Sequence, residues 1–241
     1  MMTRMARMSC LSLLAAGAAA AAEPPAPTPA RDANWPAGLR GTTFVVLDLE
    51  TTGLSRTRDR VVEAAAVRLR DGRILDSRCW LINPGRPIPA AATAVHGIRD
   101  ADVRQAPAFA AVYPRIAAYI GDGVVVAHNA PFDAGFLVCE AVRGGGPVLT
   151  NTWLDSLALC RRLYPEAKRH NLESMARRFR VKPRRYHRAG DDADTLARVL
   201  AAVIRTLPPD LDLPGLTALA GGRLDIQRFV PADGAPADAA R

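Results

Sequence analysis

Apolar positions along the chain follow two periods. Phe44 to Leu49 opens with the uninterrupted run FVVL, as expected of a strand inside a sheet. Residues 60–70 (RVVEAAAVRLR) and 74–82 (ILDSRCWLI) flank Asp71-Gly72, a strong hairpin signal. After Pro107 the spacing of Phe109, Val112, Ile116, Ala117 and Ile120 becomes helical and stops at Gly121 and Gly123. VVVAHN, residues 124–129, predicts another buried strand. Pro131 suits the first turn of a helix that carries Phe132, Phe136 and Leu137 and breaks at Gly144-Gly145-Gly146. Further helical patterns span about 155–164 and 170–179, and one from Asp191 to about Leu207, which opens on acids and ends at Pro208-Pro209. Three strands joined by hairpin-type connections, then strands alternating with helices, predict an α/β domain with a mixed sheet.

The flanks lack such periods. Residues 1–22 hold Arg4 and Arg7 before an apolar stretch from Cys10 to Ala22, the layout of a secretory signal; an uncleaved alanine-rich extension fits the composition equally. The stretch is too short and alanine-rich for a stable membrane span. The expected location is the cytoplasm, with the signal-like residues leaving export open. Residues 23–41 are dense in Pro and Ala and predict a linker, placing the folded domain at 42–207. Residues 208–241 predict a largely irregular extension, in which GGRLDIQRFV is a faint candidate docking peptide.

With 241 residues, 49% of them hydrophobic, the chain is long enough for one sizeable core with tails. Its formal charge is +8, and eleven Lys or Arg against two acids between Arg161 and Arg188 give that stretch a net of +9. The local excess accounts for the whole; it is either a solvated helix face or a surface for phosphate backbones. Cys10, Cys79, Cys139 and Cys160 form no CxxC pair, which argues against a disulfide framework or a thiolate metal site.

Candidate chemistry begins in DLETTG. Asp48 and Glu50 are two apart on a strand and point to one face, where they repel unless a cation lies between them; hard divalent ions prefer such oxygen ligands. HNAPFD places Asp133 in a first helical turn, and HRAGDD places His187 five residues before Asp192 at another helix start. Singly, each of these groups is as well explained by helix capping.

Together, DLETTG, HNAPFD and HRAGDD resemble, in order, the three motifs of the DnaQ-like DEDDh 3′-to-5′ exonucleases, the family of the proofreading epsilon subunit of bacterial DNA polymerase III. INPGRPIPAAATAVHGI and the helical stretch LDSLALCRRLYPEAKRHNLESMARRF extend the resemblance over roughly residues 42–207. It implies a ribonuclease H-like exonuclease fold, with a mixed central sheet of about five strands and helices on both faces. It also implies two divalent cations, Mg²⁺ or Mn²⁺, held by Asp48, Glu50, Asp133 and Asp192, and His187 as general base. Histidine suits that role because, as a residue type, it titrates near neutral pH. Thr51, Gly53 and His96 would contact the terminal nucleotide, although Ala91 stands where the proofreading subunit usually carries an acidic contact. The implied substrate is a single-stranded or frayed 3′ end of DNA, released as nucleoside 5′-monophosphates, and a DNA polymerase is the implied partner. Two rivals remain: an RNA or oligoribonucleotide exonuclease of the same family, and a non-catalytic nucleic-acid-binding or polymerase-docking module. The second leaves a repulsive carboxylate cluster without a purpose.

Overall fold

Strand β1 (Thr43–Thr51) divides its side chains between two cores, because successive residues of a strand face opposite sides of the sheet. In the computed structural model, which describes residues 32–184 and 186–232, Phe44 and Val46 enter one apolar cluster, whereas Val45, Leu47 and Leu49 enter the other. Asp48 and Glu50 continue the first set toward the strand's end.

β2 (Val61–Arg70) and β3 (Arg73–Leu81) pair antiparallel across the Asp71-Gly72 turn, where both residues adopt positive φ. Two short helices, α1 (Ala90–His96) and α2 (Asp100–Val103), precede α3 (Phe109–Ile120), β4 (Val124–Ala127) and α4 (Ala130–Arg143). β5 (Trp153–Asp155) leads directly into α5 (Ser156–Leu163), followed by α6 (Leu172–Arg178), α7 (Ala189–Ile204) and α8 (Leu213–Leu219). The sheet order is β3-β2-β1-β4-β5; β2 runs antiparallel to β1 and β3, and the β1–β4 and β4–β5 pairs are parallel. This is the expected mixed sheet of five strands. α7, α6 and α8 contribute to the core on the Phe44 face, and α3 and α4 to the core on the Val45 face. Among the described residues, no helix is long and apolar enough to cross a membrane.

Several boundaries differ from the sequence-based expectation. β4 ends at Ala127, and Asn129 takes a left-handed φ of 72° to turn the chain into α4. α7 begins two residues earlier than expected, at Ala189. The segment read as a linker contributes Trp35 and Leu39, 2% and 0% exposed, to the core beside Phe44, and Leu39 closes a short 3₁₀ turn. The extension after Leu207 is likewise folded: α8 buries Leu216, and a 3₁₀ turn over Gln227–Phe229 helps to bury Ile226 and Phe229. Phe229 packs in the α3/α4 core with the Arg56 guanidinium 5.2 Å from its ring centre, so the apolar residues of GGRLDIQRFV are used internally and are not a free docking peptide. The signal-like residues 1–22 and the tail beyond Ala232 lie outside the described residues.

Candidate active site

The C-terminal ends of β1 and β4, the common ligand edge of parallel strands, collect the candidate acids. Asp48 and Glu50 project toward α7, and Asp192 stands in that helix's first turn, where the helix dipole favours a negative charge. Carboxylate oxygens of Asp48, Glu50 and Asp192 lie within 4.8 Å of one another. Asp133 comes from α4, on the other face, and is 4% exposed. It is not one of those three, but its charge acts on Asp48, while the backbone N–H groups of Leu49 and Asp133 itself favour its ionised form.

Burial and mutual repulsion act together on these groups. Desolvation, then Asp133 and Glu50, hold the Asp48 carboxyl well above its ordinary range. Desolvation, reinforced by Asp192 and Glu63 and opposed by Arg188, pushes Glu50 up to about 8. Asp133 and Asp192 are also raised, again chiefly by burial.

Oδ2 of Asp192 accepts the His187 N–H at 2.8 Å, but its Oδ1 is buried without a hydrogen-bond partner among the described residues. A buried acceptor with no donor is costly, and two neighbouring carboxylates add to that cost. A divalent cation would relieve both, since it ligates carboxylate oxygens and cancels their charge; the donor set therefore fits a hard metal ion.

His187 has a positive φ of 61°, and its exposed ring makes no hydrogen bond among the described residues. Its charge favours the ionised form of Asp192, which places the ring beside the cluster. His96, at the end of α1, is 2% exposed; its Nδ1 accepts the Ile98 N–H at 3.0 Å, so the neutral ring carries its proton on Nε2. That Nε2 faces the Thr51 backbone without a hydrogen bond of ordinary geometry, and burial lowers the ring's pKa. Thr51 donates its hydroxyl to the Gly53 carbonyl at 2.6 Å. Gly53 has a local reason to be glycine: a Cβ there would stand 2.6 Å from the Asp59 carboxylate, which also accepts the Thr52 hydroxyl.

Neighbouring polar residues are committed to structure. His128 bonds Ser156 Oγ at 2.9 Å through Nδ1 and the His170 carbonyl at 2.8 Å through Nε2. Asp155 caps α5 and accepts the Asn129 N–H, joining β5 to the start of α4. Beside His128 opens a groove of about 430 Å³ whose rim includes Arg161, Lys168, Arg169 and Asn171. None of its three cations forms an ion pair among the described residues, whereas Arg177 and Arg178 are paired with Glu173 and Glu166. Of the aromatic residues close to the motifs, Phe136 is 1% exposed and belongs to the core, while Phe132 remains half-buried.

One charged pair was missed from the sequence. Glu63 lies directly opposite Glu50 in the β1–β2 register, and its side chain, 1% exposed, is held by Arg188 immediately before α7. Its signal was an acid inside the apolar run VVEAAAV, the same kind of signal that marks Asp48 and Glu50.

A model of the RNase_T exonuclease family matches residues 45–200. The chain belongs to the exonuclease family. The chain is 38% identical over 167 residues to DNA polymerase III PolC-type of Streptococcus sanguinis, a match covering 69% of the chain and 11% of that protein. It is also 38% identical over 171 residues to the PolC-type polymerase of Caldanaerobacter subterraneus, with 71% and 12% covered. The chain thus spans about an eighth of the length of these relatives. Among solved structures, exonuclease X in complex with 5′-overhanging duplex DNA aligns with a TM-score of 0.60 and 28% identity, covering 74% of this chain and 99% of that one. A 3′-exonuclease recognising a histone mRNA stem-loop aligns at 0.63 but only 14% identity, covering 74% and 67%, which shows a shared fold. The DnaQ-like resemblance and the ribonuclease H-like fold are borne out.

Proposed function

We propose that this exonuclease removes nucleotides from single-stranded or frayed 3′ ends of DNA, releasing nucleoside 5′-monophosphates, with two divalent cations, Mg²⁺ or Mn²⁺. The supporting observation is the group of three carboxylates within 4.8 Å, one of them with a buried, partnerless oxygen, at the sheet's ligand edge. Asp48, Glu50 and Asp192 would hold one cation, and Asp48 with Asp133 the other. Bound there, the ions supply Lewis-acid stabilisation of charge at phosphorus and favour deprotonation of water.

The chain's own groups carry the remaining work. His187, exposed beside Asp192, takes the proton from the attacking water, and its backbone N–H keeps Asp192 oriented. Water oxygen forms the new bond to phosphorus as the bond to the preceding nucleotide's 3′-oxygen breaks; that oxygen takes up a proton from solvent to become a 3′-hydroxyl, and the phosphate stays on the released nucleotide. His96 Nε2–H is an unused buried donor for the terminal nucleotide, with Thr51 and Gly53 shaping that pocket from the backbone side. The groove carrying Arg161, Lys168 and Arg169 would bind phosphates of the strand.

DNA is favoured over RNA because the two relatives named above are DNA polymerases and the aligned exonuclease X is in complex with DNA. The same kinship supports a DNA polymerase as partner, a role in proofreading or repair, and a cytoplasmic location. The test is a digestion series of purified protein on single-stranded, paired and mispaired 3′ ends of DNA and RNA, with Mg²⁺ or EDTA. Divalent-dependent mononucleotide release from DNA, fastest at a mispaired end, is expected; cleavage confined to RNA would overturn the DNA assignment.

A further inference from the structure

Glu63 is a buried carboxylate that the proposed chemistry does not use. It faces Glu50 across the β1–β2 ladder, where two like charges are unfavourable, and apolar residues flank it along β2. Its two oxygens are nevertheless fully engaged. Arg188 donates from Nη2 to Oε1 and from Nε to Oε2 at 3.1 Å, a two-point contact that a planar guanidinium makes and an ammonium does not. The Ala189 N–H adds a third bond to Oε2 at 2.9 Å, and the Cys79 thiol lies 3.5 Å from Oε1.

What this clamp holds is the entry to α7. Arg188 is the N-cap, His187 precedes it with a positive φ, and the His187 N–H binds Asp192 Oδ2. A non-glycine residue in the left-handed region is strained and persists where its surroundings fix it. The clamp also sets where the charge sits: Glu63 stands opposite Glu50 in the ladder, and the Arg188 guanidinium is bound to Glu63. With the pair closed, the guanidinium is turned onto Glu63, and Glu63 is withheld from the three carboxylates that face one another.

From this geometry we infer that Glu63 and Arg188 are positioning residues of the exonuclease. They fix His187 and Asp192 against β1 and reserve Glu50 for the cation by keeping the Arg188 charge on Glu63. The inference rests on the functional assignment above. It implies that Glu63→Gln releases Arg188 toward Glu50, where a fixed cation competes with the metal ion. Residues that orient metal ligands typically influence affinity or turnover by about 10- to 100-fold.

The test uses the full chain and three readouts: Mn²⁺ affinity by calorimetry, kcat and KM on single-stranded DNA, and Tm without metal. For E63Q, weaker Mn²⁺ binding and a kcat about 10- to 100-fold lower are expected, with KM near the wild-type value. R188K keeps the charge but not the two-point geometry, so its kcat should fall while Mn²⁺ affinity changes little. Wild-type Mn²⁺ affinity and kcat in folded E63Q would overturn the inference. Should E63Q not fold, wild-type kcat in R188K would overturn it instead. A wild-type protein that digests no substrate would defeat the functional assignment, and the Mn²⁺ affinity of E63Q would still decide on the pair.

Discussion

Glu50 and Asp192 bring carboxylate oxygens within 4.8 Å of each other although one lies near the end of β1 and the other in the first turn of α7. Their proximity stores repulsion in the metal-free protein, with a defined pH dependence. Glu50 ordinarily titrates at 4.5 and is raised to about 8 by burial, Asp192 and Glu63, so the folded state binds its proton more tightly than the unfolded state. Where the folded state holds more protons, stability falls as pH rises. The Tm of the EDTA-treated protein should therefore decline from about pH 5 to about pH 8, and Mn²⁺ should restore it most strongly at the upper end. A thermal melt series with and without Mn²⁺ checks this; a metal-free Tm that rises across the window would refute the repulsive cluster.

Removing one member of the cluster separates stability from activity. Asp48 is the acid on which burial, Asp133 and Glu50 all act in the same direction. Asp48→Asn keeps the side chain's size and removes a charge that the metal-free fold does not stabilise. Divalent-dependent digestion should fall to background, whereas the metal-free Tm above pH 7 should stay level or increase. Parallel assays of nucleotide release and thermal unfolding decide; retained digestion would remove Asp48 from the proposed mechanism.

The sequence made the acids of β1 legible for the same reason the fold needs them: they interrupt an apolar run at alternate positions, which places them on one face. Glu63 carried the same kind of signal, but the register that sets it opposite Glu50, and its clamp with Arg188, arise only when β2 and α7 meet. β5 was not legible because it is three residues long, and Asp155 at its end also caps the helix that follows. α1 lies in the alanine-rich run AAATAV, where only His96 is buried, so hydrophobic periodicity had little to register. Trp35 and Leu39 fill the core from a segment whose Pro and Ala content has no period. Ile226 and Phe229 are too few and too close to the chain's polar end to mark an element by themselves.

The groove beside His128 predicts a binding effect without a chemical one. Lys168 and Arg169 make no ion pair among the described residues and line a groove that does not include the three clustered carboxylates. Replacing both by alanine should raise KM for single-stranded DNA and leave kcat nearly unchanged. Each cation–phosphate pairing removed in this way should lower the slope of log affinity against log salt by about 1. Titrations with a non-hydrolysed strand at several salt concentrations check it; an unchanged slope would return these cations to the status of a solvated surface.

The folded extension predicts that the catalytic region does not stand alone at residue 207. Phe229, 5% exposed, packs in the core that includes Leu137 and Val138 of α4, and its carbonyl faces the Cys139 thiol at 3.6 Å. Arg56, from the loop after DLETTG, covers the same ring. Phe229→Ala should cost about 3–5 kcal/mol of stability, the usual consequence of emptying a buried aromatic site. Because α4 also carries Asp133, the loss should be accompanied by weaker Mn²⁺ binding, and deletion of residues 208–241 should reduce both further. Denaturant unfolding paired with Mn²⁺ calorimetry distinguishes the outcomes: unchanged stability in F229A would mean that the segment rests on the domain without supporting it, whereas reduced stability with full Mn²⁺ affinity would confine its role to the fold.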